Sequence, residues 1–158
     1  MIALIQRVIS SKVEVDGKTV GEIGKGVNVL LGVEKGDTEG DIELIVDKLV
    51  KLRMFPSEDG SKEFDRSLED VNGEILVVSQ FTLPASLRKG RRPSFDRSER
   101  PERAKELYEK FIKALRERGF KVESGVFGAD MRVYIVNDGP ATFILRSEEL
   151  KKPRNSKG

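Results

Sequence analysis

The stretch Asn137-Asp138-Gly139-Pro140-Ala141-Thr142 separates two runs in which apolar residues recur at every second position. One run covers residues 131–136 and the other covers residues 143–145. This alternation predicts a β-strand on each side. Between the strands, Pro140 fixes its own φ and donates no N–H, while Gly139 adopts backbone angles that are closed to other residues. The pattern predicts a rigid corner, of which a hairpin turn is the simplest form.

The rest of the chain shows further strands and two amphipathic helices. Strand patterns are expected over residues 2–8, 12–15, 19–23, 26–33, 74–78 and 120–123. Asp16-Gly17 predicts a hairpin between the second and third of these strands. One helix is predicted from about Asp41 to Arg53, and another from Pro101 up to Gly119. The sequence therefore predicts an α+β fold: a curled, mostly antiparallel β-sheet or barrel with two main helices packed on the outside.

Length and composition indicate one domain. The 158 residues contain no linker or repeat, so we expect a single domain over residues 1–150 and a basic, flexible tail over residues 151–158. No apolar run approaches membrane-spanning length, which predicts a soluble, cytoplasmic protein with no membrane partner. Charged residues make up 35% of the chain, which has two Gln, four Asn and no Cys. Such a composition is typical of a thermophile.

The chain contains neither Cys nor His. This absence excludes thiol nucleophiles, imidazole general bases and nearly every zinc site. Catalysis would have to come from hydroxyls, carboxylates, amines, backbone amides or the substrate itself. We therefore expect no metal site and no cofactor.

Ser79-Gln80-Phe81-Thr82-Leu83 follows directly after a buried strand pattern. Polar residues at a strand end are often only structural, and a hydroxyl without a neighbouring base is a poor nucleophile. Backbone N–H groups leave the ladder there, however, and become available to a ligand. If this is a site, its strongest device is a backbone oxyanion hole, in which one donor is worth about 2.7–4 kcal/mol.

Two further stretches have both a binding and a structural interpretation. In Gly125-Val126-Phe127-Gly128-Ala129-Asp130-Met131, the Phe and Met side chains either sandwich a flat base or fill the core. The basic run from Arg88 to Arg103 is either a phosphate track or a solvated face.

Five motifs together resemble the D-aminoacyl-tRNA deacylases, also called D-tyrosyl-tRNA deacylases. They are residues 79–83, 137–142 and 125–131, the opening Ile5-Gln6-Arg7-Val8, and Gly90-Arg91-Arg92-Pro93-Ser94-Phe95. The resemblance runs from residue 1 to about residue 146. Small departures occur at Ile2, Pro84 and Ala141, and none falls on a polar motif position.

The resemblance implies a homodimer that hydrolyses the ester between a D-amino acid and the 3′-terminal adenosine of tRNA, and that also removes glycine. It implies a cis Gly139-Pro140 peptide that enters the partner subunit's pocket and excludes L-amino acids, with Arg7 holding the corner. Either the Thr82 hydroxyl attacks the ester, or the 2′-OH of the RNA assists water. The implied catalytic residues are Ser79, Gln80, Phe81 and Thr82, and the implied substrate-binding residues are Arg7, Phe127, Gly128, Met131, Asn137, Gly139, Pro140 and Thr142, with Phe127 and Met131 on the adenine.

Two other functions stay open at this point. The same fold could serve as a non-catalytic tRNA- or DNA-binding module, or as a structural dimer whose corner locks the interface. A strand-end pocket favours the enzyme, because a pure binding module needs basic patches but no such pocket.

Overall fold

The structure is a computed structural model that describes residues 1–154. Within that range the strands are β1 (Ile2–Val15), β2 (Lys18–Ile23), β3 (Gly26–Gly32), β4 (Glu74–Ser79), β5 (Val122–Ser124) and β6 (Arg132–Arg146). The helices are α1 (Glu39–Lys51), α2 (Leu68–Val71), α3 (Pro101–Glu117) and α4 (Ser147–Leu150). The predicted α+β fold with two main helices is confirmed, and α2 and α4 each add a single short turn.

The strands form one mixed sheet. Its order is β2-β1-β3-β4-β5, and β6 pairs with β1 along nearly the whole length of both strands. The pairings of β1 with β2, β3 and β6 are antiparallel, whereas β3–β4 and β4–β5 are parallel. The parallel pairs arise because α1 and α3 lie in the connections between these strands, as parallel crossovers require.

The sheet curls until its two ends approach each other. Gly21 of β2 lies against β5, where an added Cβ would be 2.6 Å from the carbonyl oxygen of Ser124. A side chain at this position would push the strands apart, so the missing Cβ allows the sheet to close almost into a barrel. At the β1–β2 hairpin, Asp16 and Gly17 both have positive φ (50° and 76°), as the tight primed turn requires.

The interpretation of residues 137–142 as a hairpin turn is wrong. Both flanks belong to β6 and pair with the same strand, since Thr142 is opposite Gln6 and Asn137 is opposite Val8. Residues 138–141 therefore stand opposite Arg7 alone. The corner is a bulge of four residues within β6, and the sequence pattern missed it because a bulge and a hairpin have the same local alternation.

Two apolar cores lie on the two faces of the sheet. The larger one packs α1 and α3 against Val27, Val29 and Leu31 of β3, together with many other side chains. The smaller one lies inside the curl and contains Val8, Val13, Ile23, Leu76 and Val78. Because strand residues alternate between faces, Asn28 points toward the smaller core. Asn28 is fully buried, and neither polar atom of its side chain has a hydrogen-bond partner within residues 1–154.

Local signals set the helix ends. Thr38 caps α1 by accepting a hydrogen bond from the N–H of Gly40, and Pro101 occupies the first turn of α3. After α4, Lys151 forms an ion pair of 2.8 Å with Asp41 at the start of α1. Residues 155–158 of the predicted tail lie outside the described residues. None of the helices in residues 1–154 is long and apolar enough to cross a membrane.

Candidate active site at the end of strand β4

Strand β4 ends at Ser79, and a tight turn follows at once. The backbone N–H of Gln80 donates to the carbonyl of Leu31 on β3 at 2.8 Å, and the N–H of Leu83 then donates to the carbonyl of Gln80 at 3.3 Å. Gly32 lies beneath the turn, where a Cβ would be 2.9 Å from the Cβ of Leu83. The turn therefore rests directly on the backbone of β3, which fixes its position.

Two adjacent backbone N–H groups of this turn find no acceptor in the described part of the chain. Within residues 1–154, the N–H groups of Phe81 and Thr82 donate to no acceptor, and both residues are exposed. The side-chain amide of Gln80 donates to the Thr82 hydroxyl, which orients that hydroxyl. Adjacent free N–H donors are the elements of an oxyanion hole, because they can stabilise negative charge that develops on a carbonyl oxygen.

An apolar wall stands beside these donors. The Phe81 ring is 61% exposed and packs on the ring of Phe95, with the centroids 5.2 Å apart. The hydroxyl of Ser98 donates to the carbonyl of Phe81 at 2.8 Å. The segment that contains Phe95 and Ser98 thus folds back over the turn and holds it from the outside.

The loop over residues 125–131 lies next to the same strand end. The N–H of Gly125 donates to the carbonyl of Val77 on β4 at 3.1 Å. Gly128 takes a positive φ of 77°, which turns the loop. The sulfur of Met131 covers Gly125, where a Cβ would be 2.6 Å away from it. Strand β5 therefore delivers Phe127, Gly128 and Met131 to the end of the sheet that also bears Ser79.

Phe127 and Met131 pack against different cores. Phe127 is half-buried beside Tyr108 of α3, with the ring centroids 5.8 Å apart, and contacts the larger core. Met131 contacts the smaller core. Tyr108 itself is a structural anchor: its hydroxyl donates to the carbonyl of Val77 at 3.0 Å, and burial raises its pKa to about 12. Adenine binding between Phe127 and Met131 stays a prediction.

Arg7 anchors the corner. Its side chain is 2% exposed. Nε donates to the carbonyl of Asp138 at 3.0 Å, Nη1 to the carbonyl of Met54 at 2.7 Å, and Nη2 to the carboxylate of Glu63 at 2.7 Å. The ring of Phe64 lies 5.8 Å from the Arg7 guanidinium carbon. One buried cation thus ties the corner to Met54, just after α1, and to Glu63 in the loop before α2.

The corner has the peptide geometry that the resemblance implies, since the Gly139-Pro140 bond is cis. Gly139 has a φ of +118°, and a Cβ there would be 2.5 Å from Nη2 of Arg7. Only glycine fits this position without moving Arg7. Asn137, Gly139, Pro140 and Thr142 are all exposed, so the corner presents its outer surface to solvent.

Within one chain, the corner is far from the strand end. Arg7 is level with Val27 and therefore with Ile75 of β4, four residues before Ser79. Four residues along a strand span about 13 Å, and the three strand spacings from β6 to β4 add about 14 Å across the sheet. Measured over the sheet, the two parts of the predicted site are about 20 Å apart.

The structure thus divides the predicted residues into two groups. Ser79, Gln80, Phe81 and Thr82 lie at the end of β4, and Phe127, Gly128 and Met131 lie in the loop that follows the neighbouring strand β5, whereas Arg7 lies with Asn137, Gly139, Pro140 and Thr142. Sequence reasoning missed Glu63 and Phe64, which contact Arg7 from the loop before α2. Only the burial of Arg7 in an otherwise apolar strand could have indicated that such partners exist.

Comparison with known proteins decides the family. Residues 4–146 match the model of the D-Tyr-tRNA(Tyr) deacylase family. The chain belongs to this family. A relative named D-aminoacyl-tRNA deacylase, from Sulfurihydrogenibium sp. (strain YO3AOP1), is 60% identical over 150 residues, which is 95% of this chain and 100% of the relative.

Two solved structures are similar to this member of the D-Tyr-tRNA(Tyr) deacylase family. One is named c-Myc DNA Unwinding Element Binding Protein; it is 40% identical with a TM-score of 0.87, over 92% of this chain and 98% of that one. The other is described as a probable eukaryotic D-amino acid tRNA deacylase, with 21% identity and a TM-score of 0.77 over 91% of this chain and 97% of that one. The second likeness shows the fold alone.

Proposed function

We propose that this protein hydrolyses the ester between a D-amino acid and the 3′-terminal adenosine of tRNA, in the cytoplasm, and that it also removes glycine from mischarged tRNA. Membership of the deacylase family supports this proposal. The structural observation that carries it is the pair of free N–H groups of Phe81 and Thr82 at the end of β4. Water adds to the ester carbonyl, the bond to the ribose oxygen breaks, and free amino acid and tRNA leave.

The turn acts by polarising the ester. In the proposed pose the carbonyl oxygen accepts hydrogen bonds from the N–H groups of Phe81 and Thr82. Each such donor is worth about 2.7–4 kcal/mol in the transition state. An aminoacyl ester is already activated, so this assistance suffices without a strong base.

Water activated by the neighbouring 2′-OH of the RNA is the favoured nucleophile. The alternative, attack by the Thr82 hydroxyl, needs a general base. The chain has no His, and the Thr82 oxygen accepts a hydrogen bond from Gln80, which is a donor there and not a base. Gln80 and Ser79 then position the turn and the ester, while the Phe81 ring shields it.

The corner acts on the site of a second copy, which makes the enzyme a homodimer. Along the sheet, its own strand end is about 20 Å away, four residues further on and three strands across. The long edge strand β6 also carries exposed apolar side chains, namely Tyr134, Val136 and Ile144. Such an edge is normally covered by a partner. A two-fold exchange of corners would cover it and complete both sites.

Chirality would be controlled by exclusion. Favourable contacts with an apolar side chain would favour the D over the L substrate by only about 1–3 kcal/mol. A rigid wall discriminates more strongly, because the L side chain would collide with it. The corner qualifies as such a wall because Arg7 holds it from a buried position. Glycine has no side chain on either face and would pass.

The first test is hydrolysis of D-tyrosyl-tRNA and L-tyrosyl-tRNA by the purified protein. We expect rapid release of D-tyrosine and a rate for the L substrate near that of the uncatalysed reaction. Equal rates for both enantiomers would contradict the exclusion mechanism, and the absence of any hydrolysis would refute the proposed function.

A second test concerns the shared site. Gly139→Ala places a methyl group against Arg7 and should disrupt the corner, so that L substrates are no longer rejected. Gln80→Ala should disrupt the strand-end site, so that hydrolysis is lost. A mixed dimer of the two variants retains one intact site if the corner acts across the interface. Because the corner only rejects L substrates, Gly139→Ala alone should hydrolyse both enantiomers and Gln80→Ala alone neither. Random reassociation in an equal mixture pairs half of the Gly139→Ala subunits with an intact corner, so we expect hydrolysis of L-tyrosyl-tRNA to fall by about half and the preference for the D substrate to recover. No recovery in a mixture shown to contain mixed dimers would contradict the shared site.

A second candidate function is nucleic-acid binding without catalysis. The observation in its favour is the similarity to a structure named as a DNA-binding protein. Tight binding of tRNA or DNA, combined with no hydrolysis of D-tyrosyl-tRNA, would favour this alternative.

A further inference from the structure

A short basic projection follows the strand-end turn. Its two ends are joined by a pair of backbone hydrogen bonds, from the N–H of Ser86 to the carbonyl of Ser94 and back, both at 2.9 Å. Gly90 at its tip has a φ of +69°. We call residues 86–94 the arginine arm. It contains Arg88, Lys89, Arg91 and Arg92 and no acidic residue.

The four cations of the arm have no acidic partner among the described residues. All four are exposed, and within residues 1–154 no carboxylate lies within ion-pair distance of them. Of the three other arginines in the same basic run, Arg97 pairs with Glu34 and Arg103 with Glu106, both at 3.1 Å, whereas Arg100 makes no ion pair within residues 1–154. In the run predicted as a phosphate track, Arg97 and Arg103 are therefore held in ion pairs, whereas the four cations of the arm make none within residues 1–154.

This concentration of charge is unusual for the chain. The whole protein has a formal net charge of only +2, so most of its cations are balanced by acids. Like charges packed into one small projection repel one another and weaken folding slightly. A polyanion that binds there would remove the repulsion.

The arm begins beside the candidate active site. Ser86 is four residues after Thr82, so their Cα atoms are at most about 14 Å apart. At the other end of the arm, Phe95 packs on Phe81, which carries one of the two free N–H groups. A nucleic acid whose 3′ end enters the strand-end site must therefore pass close to the arm.

We propose that the arginine arm binds the phosphate backbone at the acceptor end of tRNA, just before the terminal adenosine. This inference rests on the proposed function, because it takes the strand-end turn as the place of the ester. Arginine suits the task, since its planar fork of donors matches phosphate oxygens. Contacts with phosphate carry no sequence information, so the arm serves tRNAs of every amino acid alike.

The test combines two variants with two substrates. Arg91→Gln with Arg92→Gln removes two charges from the arm, whose side chains make no ion pair in the described part of the chain. Lys18→Gln at the start of β2, combined with Lys25→Gln in the turn between β2 and β3, removes the same charge from exposed positions elsewhere. The substrates are D-tyrosyl-tRNA and the D-tyrosyl ester of adenosine, which has no phosphate.

We expect the arm variant to raise KM for D-tyrosyl-tRNA and to leave kcat unchanged. Two lost phosphate contacts reduce the slope of log KM against log salt by about 1.4–1.8. Between 50 and 200 mM salt, KM of the unmodified protein should therefore rise about tenfold more than KM of the arm variant. Hydrolysis of the adenosine ester should be the same for both, and the lysine variant should match the unmodified protein throughout.

Each other result has a distinct meaning. An arm variant whose KM and salt slope equal those of the unmodified protein would overturn the arm proposal. An equal loss of kcat/KM on D-tyrosyl-tRNA and on the adenosine ester would also overturn it, because the effect would then lie in the ester pocket. Stronger competition by a DNA duplex than by deacylated tRNA would overturn it as well. If the unmodified protein cleaves neither ester, the proposed function itself fails.

Discussion

Replacing Arg7 with lysine keeps the buried positive charge and removes the fork of N–H donors. In the structure three nitrogens of Arg7 donate in three directions, to Asp138, Met54 and Glu63, over 2.7–3.0 Å. A lysine ammonium is a single point at the end of a flexible stem. It cannot reach all three acceptors. We expect the ammonium to form an ion pair with the Glu63 carboxylate and to lose the hydrogen bonds to the carbonyls of Asp138 and Met54.

The expected cost follows from the two lost contacts. A hydrogen bond to a charged group contributes about 1.5–3 kcal/mol. Taking the low end for two bonds, the free energy of unfolding should fall by about 3 kcal/mol. This is less than the total stability of a typical domain, about 5–15 kcal/mol, so the variant should fold. Its Tm should fall by about 10 °C, given about 2–4 °C per kcal/mol for a chain of this size.

The functional consequence separates this role from general packing. Without the bond from Nε to the Asp138 carbonyl, the corner loses its tie to β1, so its ability to reject L substrates should fall more than its rate with D substrates. Thermal unfolding and the ratio of kcat/KM for D- and L-tyrosyl-tRNA measure the two effects. Arg132→Lys, at the exposed start of β6, is the matched control and should change neither. A Tm within 2 °C of the unmodified protein together with an unchanged ratio would refute the reasoning.

Four further predictions concern other parts of the molecule. Asn28→Leu should raise the free energy of unfolding in urea by about 1–3 kcal/mol, because it replaces a buried amide that has no hydrogen-bond partner within residues 1–154 with an apolar group of the same branched shape. A lower urea midpoint would show instead that the amide is hydrogen-bonded in the folded protein. Burial opposes the charge of Asp41, but hydrogen bonds from Lys151 and Thr38 outweigh it and lower the pKa of Asp41 from 3.8 to about 2. Its ionised form should therefore contribute about 2 kcal/mol that is fully present above pH 4 and is lost as the pH falls to about 2, and Asp41→Asn should remove that dependence in acid titrations of stability. Thr82→Ala should reduce the single-turnover rate by less than about a hundredfold, against about 10⁶ for loss of an essential nucleophile; an aminoacyl-Thr82 adduct in mass spectrometry would contradict this. Dialysis against EDTA should change kcat by less than a few-fold, and a loss that added metal restores would show that a carboxylate metal site had been missed.

The local elements of this fold could be predicted from the sequence. Apolar spacing indicated α1 and α3, and Pro101 marked the start of α3 correctly. The Asp16-Gly17 turn was predicted because only a few residue pairs suit positive φ at both positions. These features depend on residues within a few positions of each other, so a local pattern contains the information that sets them.

The corner shows where local patterns fail. Alternation on both sides of Gly139-Pro140 is the same for a hairpin and for a bulged strand, and the difference depends on which strand each flank pairs with. Both flanks pair with β1, more than 120 residues earlier in the chain. Nothing near the corner specifies that partner, because pairing is decided by how the whole sheet curls and buries its two faces.

The candidate site divides in the same way between sequence and tertiary structure. The sequence by itself determined the polar strand end at Ser79–Thr82, the glycine-proline corner and the absence of any imidazole or thiol, because each is a property of one short stretch or of the composition. The family resemblance implied that Arg7 holds the corner, and no local pattern could show it because the two are 131 residues apart. Only the tertiary structure decided which groups bind Arg7, and that within residues 1–154 the arginine arm makes no ion pair while Arg97 and Arg103 do. A sequence specifies which charges exist, but the free energy of each charge depends on the neighbours that folding brings within a few ångströms.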